Sequence, residues 1–195
     1  MFSVGKNLGA SLVGTADNCE CIPKELMHQQ LSFRYLLNDE IPFIFLKSAK
    51  EDHIFTDRSY VVTRGETAGG NKRIVYRADY HTNPIRDVMF ETAGMGITDQ
   101  DCELKFSIGG HSVSVDIKKS EQDTGILYYR ALTAVMIAQA RNAQQLALFQ
   151  QITARTSIQT AEHNDSAANA ASAVAILDQM NPMSYAKVFE GYIHK

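Results

Sequence analysis

Between Ile41 and Ile117, apolar and β-branched residues come in short runs divided by turn-forming residues, and this punctuation restricts the fold more than any other feature. The runs are Ile41-Pro-Phe-Ile-Phe-Leu, His53-Ile-Phe, Tyr60-Val-Val, Arg73-Ile-Val-Tyr, Ile85 to Phe90, Cys102 to Ile108 and Val113 to Ile117. Turn signals stand between them at Lys50-Glu-Asp, Asp57-Arg58, Ala68-Gly-Gly-Asn, Asn83-Pro84, Gly94-Met-Gly96 and Gly109-Gly110. Val113, Val115 and Ile117 alternate with Ser112, Ser114 and Asp116, the pattern of a strand with one buried face. About seven antiparallel strands on tight connections predict a small barrel or sandwich.

The flanks have a longer period. Ile22, Leu26, Phe33 and Leu37 recur at helical spacing, with Pro23 suited to a first turn, and predict an amphipathic helix over residues 22–37. From Glu121 onward one stripe runs through Leu127, Ala131, Val135, Ala138, Leu146 and Phe149, and a second through Tyr128, Leu132, Met136 and Ala147. So wide an apolar surface exceeds what one barrel mouth covers, so part of this helix must meet something else, and the plainest occupant is the extension's own helices folded back on it. Further on, Asp165 and Ser166 can cap an Ala-rich helix that ends at Asn181-Pro182, where another begins toward Tyr192. Ala167, Ala171, Val174 and Leu177 share a face of the Ala-rich helix. That helix buries too little apolar area to stand alone and needs a partner, in the chain or from another subunit. These four, with Phe189, are the candidate oligomerisation residues.

The order of short strands followed by a long amphipathic helix is that of a pleckstrin-homology (PH) barrel. Asp52-His-Ile-Phe-Thr-Asp-Arg-Ser-Tyr-Val-Val, and Phe90-Glu-Thr-Ala-Gly94 followed by Asp101-Cys-Glu-Leu-Lys-Phe, closely resemble segments of the bacterial PH-domain family once catalogued as a domain of unknown function. The resemblance covers residues 41–132, and the region after Arg155 looks like a helical-hairpin oligomerisation extension found on some members. It implies an α+β fold: a PH-like seven-stranded antiparallel β-barrel capped by a long C-terminal helix, with an N-terminal helix and a C-terminal helical hairpin. The expected division is 1–40 as an N-terminal segment, 41–150 as the barrel with its capping helix, and 151–195 as the oligomerisation extension. The resemblance also implies a homo-oligomer without enzymatic activity and without a settled ligand.

Charge narrows the ligands. The chain carries a net charge of −3, and from Ile41 to Ser120 eleven basic residues balance eleven acidic ones, so the counterion release that drives binding to nucleic acid or polyphosphates is weak. Lys47, Lys50, Arg58, Lys72 and Arg73 remain as candidates for weak anion or lipid contact, although Glu51, Asp52 and Asp57 interrupt them. The glycines of Gly65-Glu-Thr-Ala-Gly-Gly-Asn-Lys-Arg lack the phosphate-loop spacing and read as a hairpin turn.

No constellation supports catalysis or metal binding. Glu25 and His28 share a helix face as in half of a di-iron site, but no second pair exists, and Cys19-Glu-Cys21 with His28 lacks zinc spacing. His53, His81, His111, His163 and His194 are scattered, and no serine has the Gly-x-Ser-x-Gly pattern. Three cysteines make no even disulfide framework and fit a reducing cytoplasm. The Gly-rich stretch after Lys6 is too short for a signal peptide, and no apolar run approaches the ~20 residues that span a bilayer. The expectation is therefore a cytoplasmic, non-catalytic homo-oligomer that serves as a scaffold or interaction protein. The alternative is a multivalent module for a peptide or an anionic lipid. Neither reading calls for a cofactor, a metal, nucleic acid or integral membrane association.

Overall fold

The computed structural model describes residues 18–65, 72–94, 101–157, 175 and 182–193. The seven expected runs are strands β2 (Pro42–Lys47), β3 (Glu51–Thr56), β4 (Ser59–Gly65), β5 (Arg73–Asp79), β6 (Arg86–Glu91), β7 (Asp101–Ile108) and β8 (His111–Lys118), preceded by a short β1 (Glu20–Cys21). The expected single barrel is replaced by two antiparallel sheets, one of five strands in the order β1-β2-β3-β4-β5 and one of three in the order β6-β7-β8.

The break between β5 and β6 has a local cause. The N–H groups of Thr82 and Asn83 donate back to the Asp79 carbonyl (3.2 and 2.8 Å), Pro84 has no N–H to offer, and the Ile85 N–H donates to the Gln139 side chain at 2.9 Å. The chain is thus tied to itself and to a helix where it would otherwise pair with β5. On the opposite side one residue joins the sheets: the Cys19 N–H donates to Asp116 O (2.7 Å) and the Lys118 N–H to Cys19 O (3.1 Å).

The strands β2 to β4 are apolar on both faces because both faces are covered. Ile44, Phe55, Tyr60 and Ala78 form one cross-strand row facing inward. There Phe55, Tyr60 and Phe106 of the second sheet pack with centroids 4.9 to 5.3 Å apart. Phe45, Ile54 and Val61 face outward and are buried under Met27, with Ile22 and Leu36 packed beside them.

That outer layer is not the helix expected over residues 22–37. It consists of α1 (Lys24–Met27) and a 3-10 turn (Leu31–Tyr35). Gln30 is extended between them (φ −78, ψ 140). The chain turns there because Ser32 points into the sheet, where its hydroxyl bonds Thr63 Oγ1 at 2.7 Å and the Asp52 carboxylate. Leu26 and Leu37, which carried the helical spacing, are instead 44% and 53% exposed.

Helix α2 (Gln122–Ser157) enters the second sheet at Gly125, where a Cβ would lie 2.9 Å from ring carbons of Phe90. Tyr128, Ala131, Leu132 and Val135 then fill the space between the sheets. Gln139 is the last buried residue of this face, and none from Ala140 to Ile152 is buried. At 36 residues the helix spans about 54 Å, of which only the part up to Gln139 carries buried residues. Helix α3 (Ala186–Ile193) returns to that body: Phe189 is fully buried and stacks on Phe43 at 5.0 Å, and the Tyr185 N–H donates to Asp57 O at 2.6 Å.

Candidate interaction surface

The part of α2 that leaves the sheets carries apolar residues toward solvent. Ile137 is 60% and Leu148 is 58% exposed, and together with Arg141, Gln145 and Tyr192 of α3 they line an open groove of about 830 Å³. Arg130 lies over the Tyr192 ring at 5.7 Å and fixes one wall. Ile137, Arg141, Gln145, Leu148 and Ile152 follow one another at three- and four-residue steps, a single helical face. Neither stripe read from the sequence includes Ile137, Leu148 or Ile152, although their spacing was available there. The stripes did mark the buried side correctly at Tyr128, Ala131, Leu132 and Val135, while Leu127 is 39% exposed.

Of the candidate oligomerisation residues, Ala167, Ala171, Val174 and Leu177 lie outside the described residues. Phe189 is packed into its own chain's core.

Four of the five cationic candidates share one end of the first sheet, and Arg58 lies at the other. Lys47 and Lys50 flank the β2–β3 turn, and Lys72 and Arg73 begin β5 at the same end, where the Gly65 N–H donates to Lys50 O at 2.9 Å. Lys47 is held by the Gln30 side chain at 2.6 Å. Arg58 stands at the far end of β3, six residues or about 20 Å away. Its guanidinium bonds the Asp39 carboxylate (3.0 Å) and the Asp39 carbonyl (3.1 Å), so its role is to fasten the N-terminal layer.

That fastening has a buried centre the sequence did not reveal. The Glu40 side chain is fully buried and accepts hydrogen bonds from Thr56 Oγ1 (2.6 Å), Ser59 Oγ, Arg77 Nη1 (2.8 Å) and the Leu37 N–H (2.9 Å). Burial alone would push this carboxyl up. The donors from Arg77, Ser59, Thr56 and Leu37 outweigh it and hold the pKa at about 2. Next to it Asp57 accepts the Ile41 N–H at 3.0 Å through its side chain, and its carbonyl receives Tyr185. One polar junction thus ties the N-terminal layer, the β3–β4 turn, β5 and α3 together.

All three cysteines are free, and burial, reinforced by Glu51, Asp116 and Asp52, pushes the Cys19 thiol up to about 12, far from a nucleophile's range. His53 is buried with Nδ1 2.7 Å from Tyr60 Oη and Nε2 3.4 Å from Glu51. Among the described residues no group of His, Cys, Asp and Glu could hold a metal ion, and no helix is long and apolar enough to cross a membrane.

Comparison with known proteins gives this fold a lineage. The profile of the family described as bacterial PH domain matches residues 7–136. An uncharacterized protein of Bacillus subtilis (strain 168), YvbH, is 29% identical over 133 residues, which are 67% of this chain and 64% of that protein. The crystal structure of a PH-domain-containing protein from Exiguobacterium sibiricum 255-15 superposes with a TM-score of 0.77 at 26% identity, over 91% of this chain and all of the other. A protein of the DUF1696 family with a pleckstrin-homology domain, from Shewanella loihica PV-4, matches 61% of this chain and 97% of its own at 20% identity and a TM-score of 0.46.

Proposed function

The chain belongs to the bacterial PH domain family, and on that premise we propose that it is a non-catalytic interaction protein that self-associates through the distal half of α2. The observation that carries this reading is the exposure of Ile137 and Leu148 on a helix that continues well past the last residue buried by the sheets. A second copy is the occupant best suited to such a face, because closed homo-oligomers bury the same patch on every subunit. The resemblance of the sequence after Arg155 to a helical-hairpin oligomerisation extension supports the same reading. The free cysteines support a reducing compartment such as the cytoplasm as its location.

The test is the absolute mass in solution from light scattering coupled to size exclusion, for the wild type and for Ile137→Asp combined with Leu148→Asp. The wild type gives a fixed multiple of 21.7 kDa at two concentrations, and the double variant gives a monomer with an unchanged melting temperature. A wild-type monomer refutes the reading. Removing the C-terminal region would be a poorer test, because Tyr185 and Phe189 belong to the core and their loss unfolds more than an interface.

A further inference from the structure

β5 is the last strand of its sheet and, among the described residues, presents a regular, unguarded edge. Its seven residues pair with β4 from Ser59↔Asp79 to Gly65↔Arg73 with no register shift, and it contains no proline. β6, the terminal strand of the other sheet, is guarded: its pairing shifts between Arg86 and Met89, and Asp87 takes a φ of 53.

The ladder tells which backbone groups face out. The Tyr80 N–H donates to Arg58 O at 2.9 Å, one step beyond the Ser59↔Asp79 pair. By the alternation of an antiparallel ladder, Ala78, Tyr76 and Ile74 direct their N–H and C=O at β4, and Arg77, Val75 and Arg73 direct theirs away. Among the described residues nothing bonds the outward groups of these three. The adjoining side chains are apolar and open: Ile74 is 56% and Val75 is 40% exposed, on opposite faces of the strand. Arg77 is already neutralised by Glu40 and Asp79, whereas the Arg73 guanidinium has no ion-pair partner among the described residues.

We propose that the outer edge of β5 binds an extended peptide segment of a partner protein as an added strand, with a carboxylate side chain opposite Arg73 and β-branched residues opposite Ile74 and Val75. Three residues with two outward groups each offer up to six main-chain hydrogen bonds, and the side chains set the preference. A second copy is a worse occupant. The symmetric register that uses all three residues sets Val75 on Val75 and places Arg73 opposite the other copy's Arg77, whose neighbours Glu40 and Asp79 are already engaged by that arginine, so it offers Arg73 no free carboxylate.

The probe is a fluorescein-labelled peptide, Ser-Thr-Thr-Val-Ile-Glu-Ser, together with a version carrying Lys in place of Glu. Both are titrated by anisotropy against the full chain. Val75→Pro removes an outward N–H and spares every bond to β4, so it folds and binds the acidic peptide at least tenfold more weakly. Arg73→Glu, a surface change that keeps the ladder intact, reverses the preference to the Lys peptide by at least tenfold. In the complex, hydrogen exchange slows at the amides of Arg73, Val75 and Arg77. Binding that is unaffected by both substitutions overturns the proposal, as does the absence of saturable binding. Amides at these positions that are already protected in the dilute free chain overturn it by showing that the chain covers its own edge. Protection that rises with protein concentration without peptide assigns the edge to a second copy and overturns the partner peptide.

Discussion

Replacing Glu40 by Gln tests whether the buried polar junction holds the N-terminal layer on the sheet. The substitution preserves shape while removing the charge that Arg77 faces at 2.8 Å and an oxygen that accepts either that guanidinium or the hydroxyls of Thr56 and Ser59. With the carboxyl at about 2 against 4.5 for an ordinary Glu, the folded protein favours the charged form by about 3 kcal/mol. Because the folded pKa is depressed, this contribution is complete above about pH 5 and is lost as the pH falls from 4.5 toward 2. Urea denaturation at pH 7 should therefore show Glu40→Gln less stable by about 3 kcal/mol, or roughly 6 to 12 °C lower in Tm for a chain of this size. At pH 3 the difference should shrink by more than half. A gap under about 0.5 kcal/mol at pH 7, or one that stays constant down to pH 3, would refute the assignment of the stability to the charged form.

Two further predictions concern packing and reactivity. Gly125→Ala should destabilise by about 1 to 3 kcal/mol in thermal denaturation although alanine is the better helix former, because its Cβ meets the Phe90 ring at 2.9 Å, and Phe90→Leu should recover part of the loss. Cys19, 2% exposed and with its thiol pushed up to about 12, should resist iodoacetamide at pH 8 in the native protein and react fully in urea, as mass spectrometry of the peptides would record.

The strands were legible because their cues are local: Val113, Val115 and Ile117 are buried and Ser112 and Ser114 exposed, as the period of two requires. Their division into two sheets was not. Asn83-Pro84 reads as a turn in either case, and only the distant Gln139 shows that the strand after it starts from the helix rather than from β5. The N-terminal layer misled because a buried polar residue decided its course: Ser32 is drawn to Thr63, 31 positions away, against an apolar spacing that solvent-exposed leucines satisfied by chance. Glu40 was invisible for the same reason. Its partners Thr56, Ser59 and Arg77 lie 16, 19 and 37 residues along the chain, and nothing local separates this glutamate from those on the surface. The distal α2 face lay between these cases. An excess of apolar helix surface was evident, but which residues it exposes depended on where the sheets stop covering it.

The two proposed surfaces share no residue: one lies on α2 beyond the sheets, with Tyr192, and the other on the edge of β5. Self-association through α2 would leave every β5 edge open and hold the copies in fixed relation. A single added strand of three ladder residues is a weak contact, since association entropy offsets most of what a few exchangeable hydrogen bonds contribute. Several such edges on one assembly turn later contacts with a repetitive partner into intramolecular ones, which raises avidity without any new contact. On these two proposals, the energetic reason to keep an exposed helix face would be the same as the reason to leave a strand edge open: each surface would be weak alone, and the assembly would make the edge useful.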